Sequence, residues 1–183
     1  MKSFQGKLLV ASPSLADSNF ERTVTLVVEH SEEGAYGVML NCPSQETVKE
    51  VWRESVGSPC DISSPIYIGG PCEGFLTSIH TDKSLANIEV AAGIHYTQEP
   101  DKIKQLVAKQ PSLLRFFVGF SGWGDGQLET EMQEESWLTA AATTELIFGD
   151  AEVLWTILVK QLLGKELLLG FGIEHVPDDP TVN

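Results

Sequence analysis

Two apolar, β-branched runs joined by a short acidic turn constrain this chain most. Thr23–His30 contains Thr-Val-Thr-Leu-Val-Val, whose stiff side chains favour extended backbone. Ser31-Glu32-Glu33-Gly34 follows, and Ala35–Asn41 returns as a second extended segment. This order predicts an antiparallel hairpin with glycine in its turn. Lys7–Ala11, stopped by Ser12-Pro13, predicts a strand before it.

Further short strands are predicted at Pro65–Gly69, Gly74–His80, Ile88–Ala92, Leu113–Phe120 and Trp137–Ala142. Ser44–Ser55 switches to helical spacing, with Val48, Val51 and Trp52 on one face and Ser44 as N-cap. Pro100–Lys109 reads as a helix with Pro100 in its first turn and Ile103, Leu106 and Val107 as its apolar face. Gln127–Glu135 reads as a polar helix and Thr144–Phe148 as a helical turn. Ala151–Leu163 carries the clearest stripe (Val153, Leu154, Ile157, Leu158, Leu162), capped by Asp150 and stopped by Gly164. Strands cluster early and helices intervene irregularly, which predicts α+β with a mixed or antiparallel, coiled β-sheet and flanking helices. We expect a single domain over 1–183, its core over 6–163 and a loose tail over about 176–183.

Charge bounds the partners. Among 183 residues, 12 Lys and Arg face 26 Asp and Glu, a net charge of −14. Binding a phosphate backbone needs clustered Lys and Arg, and docking on anionic lipid needs the same, so neither nucleic acid nor membrane is expected as a direct partner. No run approaches the ~20 apolar residues that cross a bilayer. Leu8–Ala11 is shorter than the about seven residues of a signal-peptide apolar region. Cys42, Cys60 and Cys72 are an odd set with no Cys-x-x-Cys, so no zinc or redox motif is expected and the thiols read as reduced. Together these predict a cytoplasmic protein without a cofactor or metal.

Each chemical motif has a structural alternative. Gly122-x-Gly124-x-Gly126 lies between a predicted strand and helix, where free N–H groups attract anions, but Gln127 stands where a dinucleotide fingerprint needs glycine. The structural alternative is a tight turn under Trp123. Gly119-Phe120-Ser121-Gly122-Trp123 is one residue short of a nucleophile elbow, with Asp150 and His175 following in the order of such hydrolases. A hydroxyl bonded to nearby backbone is the alternative for Ser121. Glu129, Glu131, Glu134 and Glu135 on the polar helix read as a solvated acidic face rather than a cation site. Glu29-His30 ends a strand, where His30 could act as a general base or simply close the hairpin. His80 and His95 stand alone. Asp17 and Arg22 flank Phe20, and a bidentate contact between them would pin the loop.

In order and spacing, Pro13-Ser14-Leu15-x-Asp17-x-x-Phe20-x-Arg22-Thr23-Val24, Glu29-His30-x-x-x-Gly34-Ala35-x-Gly37, Asn41-x-Pro43, Ile68-Gly69-Gly70-Pro71 and Gly119-Phe120-Ser121-Gly122-Trp123-x-x-Gly126-Gln127-Leu128-Glu129-x-Glu131 resemble the YqgE/AlgH family of small bacterial proteins. The resemblance spans roughly residues 6–163. It implies an irregular α+β fold and a bacterial cytosolic protein, and it carries a transcriptional-regulator label but no reaction. Neither a basic face nor a helix-turn-helix supports direct DNA binding. The chain departs from the family pattern at Cys42, where Arg is common, and at Asp125, where Pro is common. Without that Arg, an anion site is weakened.

The leading expectation is a non-enzymatic binding or regulatory module for a small molecule or a protein. Its candidate ligand-binding residues are Arg22, Glu29, His30, Asn41, Ser121, Trp123, Gln127 and Glu129, converging near the Gly-rich turn. The alternatives are a hydrolase using Ser121 or His30, and an indirect transcriptional effect through a basic protein partner drawn to the acidic helix.

Overall fold

The computed structural model describes residues 3–57 and 59–164. The hairpin forms from β2 (Val24–Ser31) and β3 (Gly34–Met39), with Leu26 opposite Val38. Gly34 has φ +127°, and a Cβ there would sit 2.2 Å from the Trp123 carbonyl oxygen, so this turn needs glycine. On one side β2 pairs with β1 (Lys7–Ala11), which pairs with β10 (Trp137–Ala141). On the other side β3 pairs with β9 (Leu114–Trp123), followed by β6 (Cys72–His80), β8 (Ile94–Thr97) and β7 (Ile88–Ala91). A branch adds β4 (Pro43–Thr47) and β5 (Pro65–Ile68). The β5–β9 pairing is parallel, with Tyr67 opposite Phe117, and the other pairings described are antiparallel. The sheet is mixed and the class is α+β.

The sheet curls back on itself. Gly6 donates its N–H to the Val27 carbonyl at 2.9 Å, and a Cβ on Gly6 would lie 2.5 Å from the Val90 carbonyl oxygen of β7. Among the described residues five helices flank it: α1 (Val48–Val56), α2 (Pro100–Lys109), α3 (Gln127–Gln133), α4 (Thr144–Phe148) and α5 (Ala151–Leu163). Successive side chains of a strand face opposite ways, and β9 uses both faces. Phe117 joins a core with β1, β2 and α5, while Phe116 joins a second core beneath α1 and α2. A strand covered on both sides reads as a continuous apolar run, which is why Leu113–Phe120 was legible.

Boundaries differ where pairing or capping overrides pattern. Residues 44–47, read as the start of a helix, form β4 instead. The helix begins at Val48, because Thr47 is the cap: Glu50 N–H donates to Thr47 Oγ1 at 3.3 Å and Thr47 N–H to the Glu50 carboxylate at 2.8 Å. Ser44 Oγ closes a local turn with Glu46. Residues 94–97 form β8, which pattern alone did not show. β9 continues past Phe120 to Trp123, because Ser121 and Trp123 pair with Gly37 and Ala35. Asp150 caps α5 by accepting the Glu152 N–H at 2.9 Å, as the sequence implied. His175 and the tail over 176–183 lie outside the described residues.

Candidate functional site

Much of the polar motif around the Gly-rich turn proves to hold the fold together. Gly124 N–H donates to Gln127 Oε1 at 3.0 Å, so the turn is closed by the chain's own side chain rather than open to an anion. The Glu131 carboxylate accepts three hydrogen bonds at 2.8 Å, from the indole N–H groups of Trp123 and Trp137 and from Gln127 Nε2. Phe20 packs between the two indoles, 6.1 Å from the Trp123 ring and 5.4 Å from the Trp137 ring. Glu131 is therefore half-buried and engaged, not part of a solvated face. This corrects the sequence reading of that residue. Sequence could not show it, since the indoles it serves stand eight before it and six after it, on two strands.

Asn41 and Arg22 sit at the entry to β2, away from the Gly-rich turn. Asn41 Oδ1 accepts the Val24 N–H at 2.8 Å and its Nδ2 donates to the Arg22 carbonyl at 2.9 Å. Arg22 has φ +56° and lays its guanidinium 5.1 Å above the Trp155 ring. The expected Asp17–Arg22 ion pair does not form: Asp17 accepts the Asn19 N–H at 2.9 Å. Ser121 is fully buried in β9 and donates its hydroxyl to the Gly69 carbonyl at 3.1 Å. It lies within a strand rather than on a strand-to-helix elbow, so the geometry of an exposed nucleophile is missing.

His30 lies at the end of β2. Its Nδ1 accepts the Phe4 N–H at 2.9 Å, which places the ring proton on Nε2. Nε2 stands 2.9 Å from Glu129 Oε1, out of line for a hydrogen bond. The lone pair that a general base would use is taken by Phe4, so His30 is arranged as an anchor for the N-terminal residues. Glu29, His30 and Trp123 meet around an open cleft of about 420 Å³ with Glu33 and Tyr36. Glu129 reaches His30 from α3. Thus the structure brings Glu29, His30, Trp123 and Glu129 together. It places Gln127 in the Glu131 network, Arg22 and Asn41 at the β2 entry, and Ser121 inside the core.

A larger cavity was not visible in the sequence. A trough of about 730 Å³ runs between α1 and α2, walled by Val51, Trp52, Val56 and Ile103 and floored by Leu76 and Val118. Phe75, 90% exposed, stands at its rim. Gly74, Phe75 and Gln98 also line a second cavity of about 280 Å³, which continues to Tyr36, Thr77 and Phe120. Gly119, at φ +75°, shapes this end: a Cβ there would meet the Cys72 carbonyl oxygen at 2.8 Å. The Tyr36 and Tyr96 hydroxyls form a short hydrogen bond, and Tyr96 donates to Gln98 Oε1 at 3.3 Å. Burial pushes both phenols above their usual pKa, and the charge of Glu29 adds to this. Thr77 Oγ1 lies beside the phenols, buried and without a hydrogen bond of ordinary geometry.

Elsewhere His80 and His95 face each other across β6 and β8, with ring centres 6.0 Å apart. Thr97 Oγ1 donates to the Leu85 carbonyl and accepts from His80 Nε2 at 2.8 Å. Burial, and then the neighbouring His95, push the His80 pKa down to about 4. No group of three or more potential metal-ligating side chains occurs among the described residues, and Cys42, Cys60 and Cys72 are unpaired there. No described helix is long and apolar enough to cross a membrane.

A curled mixed sheet with helices on both faces, its motif residues largely spent on holding the fold, defines a small α+β protein. The AlgH-like family model, DUF179, matches residues 8–166, and the chain belongs to that family. A UPF0301 protein of Chlorobium limicola is 37% identical over 187 aligned residues, covering 97% of this chain and 95% of that one. The solution structure of the AlgH protein from Pseudomonas aeruginosa superposes with a TM-score of 0.75 at 26% identity, covering 98% of this chain and 100% of that one. The crystal structure of protein DIP2367 from Corynebacterium diphtheriae gives a TM-score of 0.69 at 28% identity, covering 88% of each.

Proposed function

We propose that this chain is a non-enzymatic ligand-binding module and that its site is the trough between α1 and α2. The observation behind this is the trough itself: about 730 Å³ of mostly apolar space, joined at one end to a cavity with buried hydroxyls. Ligand sites of small proteins are commonly apolar clefts of roughly 300–1,000 Å³ with a few placed polar groups. The ligand is a small amphipathic molecule, its apolar part lying along Val51, Leu76 and Ile103 and its polar end at Thr77 and Gln98. A hydrolase built on Ser121 or His30 draws no support from their geometry. Any regulatory effect would run through the ligand-bound surface around Phe75.

The test is a titration with Nile red, an uncharged dye that brightens in apolar sites, with Trp52 fluorescence as a second readout. Saturable binding is expected, competed by a short-chain alcohol. Ser55→Trp, an exposed position on the trough wall, fills the space and abolishes binding without loss of helical signal. Unsaturable dye binding, or binding unchanged in Ser55→Trp, removes the proposal.

A further inference from the structure

We infer that the hydroxyl end of the trough takes a cationic head, so that the ligand is an alkylammonium amphiphile rather than an alcohol or a fatty acid. This rests on the trough being the binding site. Three aromatic rings stand at this end. Tyr36 and Phe120 pack with centres 5.0 Å apart, and Phe75 presents an almost fully exposed ring beside them. Rings arranged around a small cavity attract a cation to their negative faces.

The hydrogen-bonding groups at this end can receive such a head. Tyr96 donates to Gln98 Oε1 at 3.3 Å, and either phenol can be the donor of the short Tyr36–Tyr96 bond. That leaves lone pairs on the Tyr36 and Thr77 oxygens. Thr77 is only 4% exposed, lines the cavity, and has an oxygen with no hydrogen bond of ordinary geometry. An ammonium group brings three donors for these oxygens, beside the Thr77 hydroxyl and the Gln98 amide, which can also donate.

The charges agree. Glu73 lines the cavity, and the charge of Glu29 is felt by both phenols. Among the described residues no Lys or Arg lines this end; Lys104 lies in the trough, paired with Asp101 at 3.2 Å. A carboxylate head would find the Thr77 hydroxyl and the Gln98 amide as donors but no countercharge, and it would face the charge of Glu73.

The experiment displaces Nile red with octylammonium, octyltrimethylammonium, octanol and octanoate at pH 7 and matched ionic strength. Octylammonium binds about tenfold more tightly than octanol, and octanoate binds weakest. Octyltrimethylammonium falls between octylammonium and octanol, since it keeps the cationic charge but donates nothing to Thr77. Glu73→Gln lowers the octylammonium-to-octanol preference about threefold. Asp125→Asn, which removes one charge from the Gly-rich turn away from the cavity, leaves the preference unchanged. Equal affinity of octylammonium and octanol, tighter binding of octanoate, or equal response to the two charge variants overturns the inference while the trough stands. Failure of every octyl compound to displace the dye overturns the trough as well.

Discussion

Replacing Glu131 by alanine tests whether its carboxylate is a structural hub. Two of its three partners are indole N–H groups of Trp123 and Trp137, which are 5% and 3% exposed. Each buried donor left without an acceptor costs about 1–3 kcal/mol. The carboxylate is only half-buried, so water entering the vacated space satisfies part of that demand. We therefore expect Glu131→Ala to lower stability by about 3 kcal/mol, a large share of the roughly 5–15 kcal/mol that holds most domains folded. Glu131→Gln keeps one oxygen for the indoles but loses charge assistance and the bond from the exposed Gln127 Nε2, and should cost about 1–2 kcal/mol. The assay is urea unfolding at pH 7 followed by tryptophan fluorescence and far-UV circular dichroism. A Glu131→Ala midpoint corresponding to less than about 1 kcal/mol of lost stability would refute the hub, because a solvated acidic face loses no more than that on truncation.

Three further outcomes follow from the same geometry. Asn41→Ala removes an acceptor from Val24 N–H and a donor from the Arg22 carbonyl, and should cost about 2 kcal/mol in urea unfolding, whereas Asn41→Asp, which keeps the acceptor, should cost less. His80 is held neutral in the fold, with its pKa lowered to about 4 from 6.5, so its contribution is complete above pH 6.5 and is lost as pH falls from there towards 4; His80→Gln should flatten that part of the stability-against-pH curve. Phe75→Ser should change the unfolding midpoint by no more than about 0.5 kcal/mol, because the ring is exposed, while weakening Nile red binding measurably.

Elements buried on both faces, or striped along one, were legible in sequence. β2 and β9 showed themselves as continuous apolar runs, and α5 by its 3.6-residue stripe with Asp150 and Gly164 at its ends. β4 was not legible, because Pro-Ser-Gln-Glu-Thr has no strand character of its own and is extended only by pairing with β5. β8 is four residues long, too short for alternation to be read. At the site, the motif residues were easy to single out, but their partners were not. Glu131 looked like its exposed helical neighbours until two indoles were brought to it. The trough left no trace in sequence, since its walls come from positions as distant as Val51 and Val118 and the cavity is the space between them.

The opposite orientation of Phe116 and Phe117 ties distant parts of the protein to one length of backbone. Displacing β9 at Phe116, beneath α1 and α2, therefore also disturbs the core that Phe117 shares with β1, β2 and α5, so the two cores should not melt independently. Unfolding monitored near Trp52 and near Trp155 should accordingly trace a single curve.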